Sequence, residues 1–139
     1  MALTGHVHEL TSLRDHALGW RGLLDGLRVA LERASRLGEF DVCISQVKEK
    51  FGGLRFYYEV VDPTNADHLL GYDDTTLPDV TRSQLSHVSH MVNAVESASY
   101  LLCYVCGAGA TRRGSGHWIR YFCDEHDTAD VVRRRGGTT

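Results

Sequence analysis

Four residues near the C-terminus, Cys103, Cys106, Cys123 and His126, restrict what this chain can fold into more than any other feature. They form a C-x2-C pair and a C-x2-H pair separated by residues 107–122, and they use three of the chain's four cysteines. A two-residue gap lets one tight turn aim two side chains at one ion, and a tetrahedral zinc ion takes four N/S ligands. A Cys3His set fills all four positions, which predicts one structural Zn2+ with no position open to water or substrate. Gly107 and Gly109 follow the first pair, where the chain must turn sharply and bring backbone N–H groups near the sulfurs. Residues 110–122 are long enough for a short β-hairpin turning near Gly114–Gly116. Asp124 to Arg135 reads as a helix, with acids in its first turn and arginines in its last. Knuckle, hairpin and helix in that order predict a treble-clef-type zinc element. A disulfide with one cysteine left over, or three reduced bystanders, are the alternatives to zinc, and His117 is the alternative fourth ligand.

The remainder of the 139-residue chain is long enough for one small core, and a hydrophobic content of 42% suffices to fill it. A net charge of −3 argues against a global basic field for nucleic acid or anionic lipid. The charge is uneven: residues 62–79 hold Asp62, Asp67, Asp73, Asp74 and Asp79 without a Lys or Arg. Residues 101–139 hold six arginines against four acids. No apolar run approaches the roughly 18 residues of a membrane helix, and no secretory leader is visible. Reduced thiolates and the lone Cys43 suit a reducing interior, so a cytoplasmic location is expected.

Taken in order, Leu10, Leu13, Ala17, Trp20, Leu24, Leu27, Leu31 and Ala34 recur at alternating steps of three and four, one face of a helix. Thr11 or Ser12 is the candidate cap of its start and Gly38 of its end. Gly19, Gly22 and Gly26 each cost about 1 kcal/mol against alanine in a helix interior, so a break is expected near Gly19-Trp20. His6, His8 and His16 are read as facing solvent rather than as ligands. Phe40, Val42 and Ile44, then Leu54, Phe56, Tyr58 and Val60, alternate with polar residues as two half-buried strands. Gly52-Gly53 between them suits a hairpin turn needing positive φ. Residues 62–79, with both prolines and no period, read as a long acidic loop. A second helix opens with the capping-box pattern Thr81-x-x-Gln84 and carries the stripe Leu85, Val88, Val92, Val95 and Leu102 directly into Cys103. His87 and His90 lie opposite that stripe, too few by themselves to hold a metal ion. The expected fold is therefore α+β: an N-terminal helix broken near Gly19, a β-hairpin, a second helix, and a treble-clef-like zinc element. Residues 1–102 form the core and 103–139 pack on it.

The stretch Lys48-Glu-Lys-Phe-Gly-Gly-Leu-Arg-Phe-Tyr57, with Gly19-Trp20 before it and the Cys/His pairs after it, resembles a family of small, largely uncharacterised proteins of bacteria, phages and prophages. The resemblance covers most of the chain except residues 62–79. It implies the same architecture and brings no activity with it.

Three functions remain in view. Lys48, Lys50 and Arg55 around Phe51 form a candidate contact surface for a protein partner, with Phe51 as its anchor. The plainer alternative is a tight turn with solvated charges and an Arg55–Glu49 pair across the strands. A phage-type regulator or inhibitor that docks on a host complex fits the first reading. Arg112, Arg113, Trp118 and Arg120, with Tyr121 and Arg133–Arg135, are the candidates for nucleic-acid contact. A nuclease built on a treble clef needs an open metal position and a base, for which only His117, Asp124 and Glu125 are near. No catalytic Ser/His/Asp pattern or phosphate-binding glycine loop is present.

Overall fold

Alternation of apolar residues builds the sheet on which everything else rests. The computed structural model describes residues 2–114 and 119–126. Strands β2 (Asp41–Lys50) and β3 (Gly53–Asp62) form an antiparallel hairpin. Val42, Ile44, Val47, Leu54, Phe56 and Val60 are buried on one face of it. β1 (Leu3–Gly5) pairs in parallel with β2, and β4 (Asn65–Leu69) pairs antiparallel with β3, giving the order β1-β2-β3-β4. The register slips between Ile44 and Gln46, a bulge that keeps Val47 on the buried face.

Against that face pack α2 (Arg21–Gly38) and α3 (Asp79–Ser99), with α1 (Val7–His16) alongside. The expected helical stripe is real: Leu10, Ala17, Trp20, Leu24, Leu27, Leu31 and Ala34 are all buried. It is split as anticipated, because α1 ends at His16 and a 3₁₀ turn, Leu18–Trp20, precedes α2. Each fully buried leucine contributes on the order of 2 kcal/mol relative to exposure, so the stripe outweighs the helical glycines.

Several local expectations are corrected. Helix α1 starts at Val7, with His6 in the capping position, ahead of Thr11 and Ser12. Gly38 is the last helical residue and Glu39 takes the left-handed conformation at φ 58°. Gly38 is small for another reason, since a Cβ there would lie 2.2 Å from the buried Phe40 ring. Thr81 is not a cap: α3 starts at Asp79, and the buried Thr81 hydroxyl donates to the Gly38 carbonyl at 2.9 Å, tying α3 to the end of α2. The positive φ angles of the hairpin turn fall on Phe51 (52°) and Gly52 (85°), while Gly53 belongs to β3. That is the pattern of a two-residue type I′ turn.

The stretch 62–79 is not wholly loop, because it contains β4. The strand is exposed along its whole length, so no apolar period marks it. Its acids serve the turns: Asp62 accepts from the Thr64 N–H and hydroxyl, and Asp74 accepts likewise from Thr76. No helix among the described residues is long and apolar enough to cross a membrane.

The helical glycines yield a test. Gly26 sits mid-helix with open space where a Cβ would point, whereas Gly38 does not. Gly26→Ala is expected to raise folding stability by about 1 kcal/mol and Gly38→Ala to lower it by roughly 1–3 kcal/mol, read from urea midpoints.

Candidate metal centre

Just after α3, the chain turns through Tyr100–Leu102 before it reaches Cys103, so α3 does not run into the knuckle directly. The knuckle closes on itself: the Cys103 N–H donates to the Ala108 carbonyl and the Gly107 N–H to the Cys103 carbonyl, at 2.7 and 2.8 Å. Gly107 makes the reversal at φ 81°. A second hairpin follows, β5 (Thr111–Arg113) with β6 (Arg120–Phe122), and then a 3₁₀ turn, Asp124–His126. Knuckle and hairpin follow in the expected order, and where a helix was expected from Asp124 the described residues show a 3₁₀ turn. His117, Trp118 and the helix read beyond His126, with Arg133–Arg135, lie outside the described residues.

The folding of this segment brings the four predicted ligands together. Their donor atoms all lie within 4.8 Å of one another. Cys106 Sγ is 3.7 Å from Cys123 Sγ, Cys103 Sγ is 3.7 Å from His126 Nδ1, and Cys123 Sγ is 3.2 Å from the same nitrogen. A tetrahedral ion with metal–sulfur bonds near 2.3 Å and metal–nitrogen bonds near 2.0 Å needs edges of about 3.8 Å between sulfurs and about 3.5 Å between sulfur and nitrogen. These three separations and the 4.8 Å bound on the whole set are compatible with a metal site of that kind. A disulfide needs sulfurs about 2.05 Å apart, so Cys106 and Cys123 are not bonded to each other, and all four cysteines are free in this arrangement.

The electrostatics agree. Burial pushes the Cys103 thiol up, but N–H groups of Cys123, Cys106 and Val105, with the Cys106 thiol, outweigh it and lower it to about 6. At Cys106 the Ala108 N–H acts to lower the thiol. Burial and the neighbouring Cys123 and Cys103 sulfurs override it and push the thiol up. Sulfurs packed this closely resist becoming anionic together unless a cation sits among them.

Three glycines seat this element on the core. A Cβ on Gly19 would lie 1.7 Å from the Cys103 carbonyl oxygen, and the Gly19 N–H donates to the Tyr104 carbonyl at 2.9 Å. Next to it the buried Trp20 ring meets Tyr104 edge-on at 5.0 Å. At the tip of the first hairpin, a Cβ on Gly52 would lie 2.8 Å from the Tyr121 ring, and one on Gly53 would lie 2.4 Å from the Tyr100 ring. Tyr100 and Tyr121 themselves pack edge-on at 5.1 Å. Glu49 and Arg120 pair at 2.7 Å with side chains only 15% and 18% exposed. The outer edge of β3 is tied to α3 by side chains: Ser99 accepts from the Leu54 N–H and Glu96 from the Phe56 N–H.

These contacts place the remaining candidates. Glu49 pairs with Arg120, not with Arg55 as the plainer sequence reading had it. The Arg55 guanidinium lies over the Tyr100 ring and donates to the Leu54 carbonyl. Arg113 pairs with Asp124 at 2.7 Å, and Arg112 is exposed. Lys48 and Lys50 lie on the outward face of the hairpin, each with its ammonium over an aromatic ring, Tyr57 and Phe51. His87 and His90 are exposed on α3, and no third ligand joins them among the described residues. The sequence reading missed the seating role of Gly19, Gly52 and Gly53.

Comparison of the chain with protein-family models, with curated proteins and with solved structures finds no match.

Because the ligands come from the knuckle and from the turn after the second hairpin, a bound ion contributes directly to folding. Purified protein is expected to carry one metal equivalent per chain. Chelation, or Cys123→Ser, is expected to lower stability by on the order of several kcal/mol in a thermal melt. An unchanged melting curve after complete metal removal would show that the four side chains are bystanders.

Proposed function

We propose that this chain is a non-catalytic, zinc-stabilised binding protein whose hairpin end docks an acidic protein partner. Zinc fits a closed Cys3His set better than other common divalent ions, and a site with all four positions filled by protein is structural in type. The same filled set argues against the nuclease reading, which needs an open position on the ion.

One observation carries the docking half of the proposal. Lys48 and Arg55 stand directly opposite each other on the outward face of the hairpin. Like charges in that register destabilise a sheet. Neither residue, nor Lys50, forms an ion pair among the described residues. A partner that brings carboxylates to this face offsets the repulsion. The turn beside it supports the reading: Phe51 is an aromatic residue held at φ 52° and 47% exposed, where glycine or asparagine is the unstrained choice. A partly exposed aromatic with Lys50 over its ring, beside Lys48 and Arg55, suits a small protein-recognition patch. In line with the family resemblance, a phage- or prophage-type regulator or inhibitor is the setting we infer.

A nucleic-acid reading draws on the same alternation of cations with Tyr57 and Phe51 and on the exposed Arg112. It loses two of its original supports, because Arg113 and Arg120 are paired within the chain.

Two measurements test the proposal. Tagged protein incubated with nuclease-treated bacterial lysate is expected to retain a stoichiometric protein that salt releases and that the Lys48→Glu/Arg55→Glu variant fails to retain. Loss of the partner on nuclease treatment, or equal retention by the variant, overturns it. Lys48→Glu alone converts a repulsive pair into an attractive one. It is expected to raise folding stability by roughly 0.2–1 kcal/mol in urea denaturation while weakening partner binding.

A further inference from the structure

A second cluster of ligating side chains lies far along the chain from the cysteines, at the start of α1. His6, His8 and Glu9 present two imidazoles and one carboxylate whose ligating atoms all lie within 4.8 Å of one another. The His6 and His8 ring centroids are 5.4 Å apart, and His6 Nδ1 is 2.8 Å from Glu9 Oε2. Glu9 is not a freely swinging surface acid. Its other oxygen accepts the Val47 N–H at 3.1 Å, just past the β2 bulge, which fixes the carboxylate with Oε2 turned toward His6. His6 is fixed too, since its N–H donates to the Ile44 carbonyl at 2.8 Å and its carbonyl accepts from the Glu9 N–H at 3.0 Å. The backbone of the cluster is therefore set by the β1–β2 pairing and by the first turn of α1. The two exposed imidazoles need only side-chain rotation to converge.

We propose that His6, His8 and Glu9 form a second, surface metal site for a divalent transition ion of the zinc class. Two imidazole nitrogens and one carboxylate oxygen are the donors that such ions select, and three protein ligands leave at least one position for water or for a donor from another molecule. The Val47 N–H is the outer partner that orients the ligating carboxylate. An ion here stiffens the entry of α1, which the Glu9–Val47 hydrogen bond joins to β2. The site differs from the cysteine centre in being open and exposed, so it binds more weakly and exchanges readily. The proposal is independent of the docking reading.

The test is a calorimetric Zn2+ titration of protein that already carries one equivalent of zinc, repeated with His8→Ala and Glu9→Ala. His8 makes only a ring contact with His6, so His8→Ala is expected to leave the melting curve of the fold unchanged. Wild-type protein is expected to take up one further equivalent with a Kd below about 100 μM, and each variant to weaken it by more than about tenfold. Imidazole resonances of His6 and His8 are expected to shift together as the equivalent is added. Saturation at one equivalent in the wild type means that the cluster is a His–Glu ion pair only, and overturns the proposal. A second equivalent that His8→Ala leaves unchanged places the ion elsewhere, and overturns it equally.

Discussion

The joining of the Cys/His element to the core depends on one close approach, backbone against backbone, between Gly19 and the Cys103–Gly107 knuckle. Where a Cβ on Gly19 would stand, the Cys103 carbonyl oxygen is already present, and the Gly19 N–H is used up on Tyr104. Such a contact leaves no room for a looser arrangement, because neither side is a side chain that can swing away. It fixes the knuckle against the break between α1 and α2. Gly52 and Gly53 do the same at the other end of the element, against the rings of Tyr121 and Tyr100. The Cys/His element is thereby held at two places on the core, with the desolvated Glu49–Arg120 pair between strand and element. Removing one partner of a pair so largely shielded from water leaves the other charge poorly compensated, so the contact favours this one seating.

This explains which parts of the architecture could be read from the sequence. The leucine stripe, the two alternating strands and the ligand spacing each carry a local period or a fixed gap, and all three were legible. β1 and β4 were not. β1 is only Leu3–Gly5, too short to show a period, and it exists because β2 offers it a free edge. β4 is exposed at every position, so the alternation that reveals a strand is missing. Thr81 looked like a helix cap because a cap and a tertiary hydrogen bond ask for the same hydroxyl; its real acceptor, Gly38, is 43 residues away. At the candidate metal centre the spacing was sufficient to pick out the four side chains that cluster, since the requirement is local to two turns. The partner of Glu49 was not legible, because Arg120 and Arg55 are equally plausible from chain order and only the docking of the second hairpin separates them.

The two faces of the first hairpin have different tasks. Its inner face and its glycines are consumed by packing: Leu54 and Gly53 are buried, and the N–H groups of Leu54 and Phe56 end on Ser99 and Glu96. Its outer face keeps Lys48 opposite Arg55, an arrangement that makes the folded chain less stable than it need be. Local conflicts of this kind concentrate where a protein meets something else, because stability is not the quantity being held there. On the reading proposed above, an ion held by the Cys/His cluster would give the hairpin a rigid mount, and the outer face would present the contact surface. On that reading the influence of the ion on binding would be exerted through the shape of the hairpin tip.

That coupling is open to one direct measurement: amide hydrogen exchange of the intact chain with its metal and after complete chelation. If the Cys/His element is the seat of the hairpin, metal removal strips protection from Tyr104 and Gly107 and also from Gly19, Leu54 and Phe56, which carry no ligand. If protection is lost only within residues 103–126, while Gly19 and the β3 amides exchange as slowly as before, the element is an appendage and the central claim is wrong.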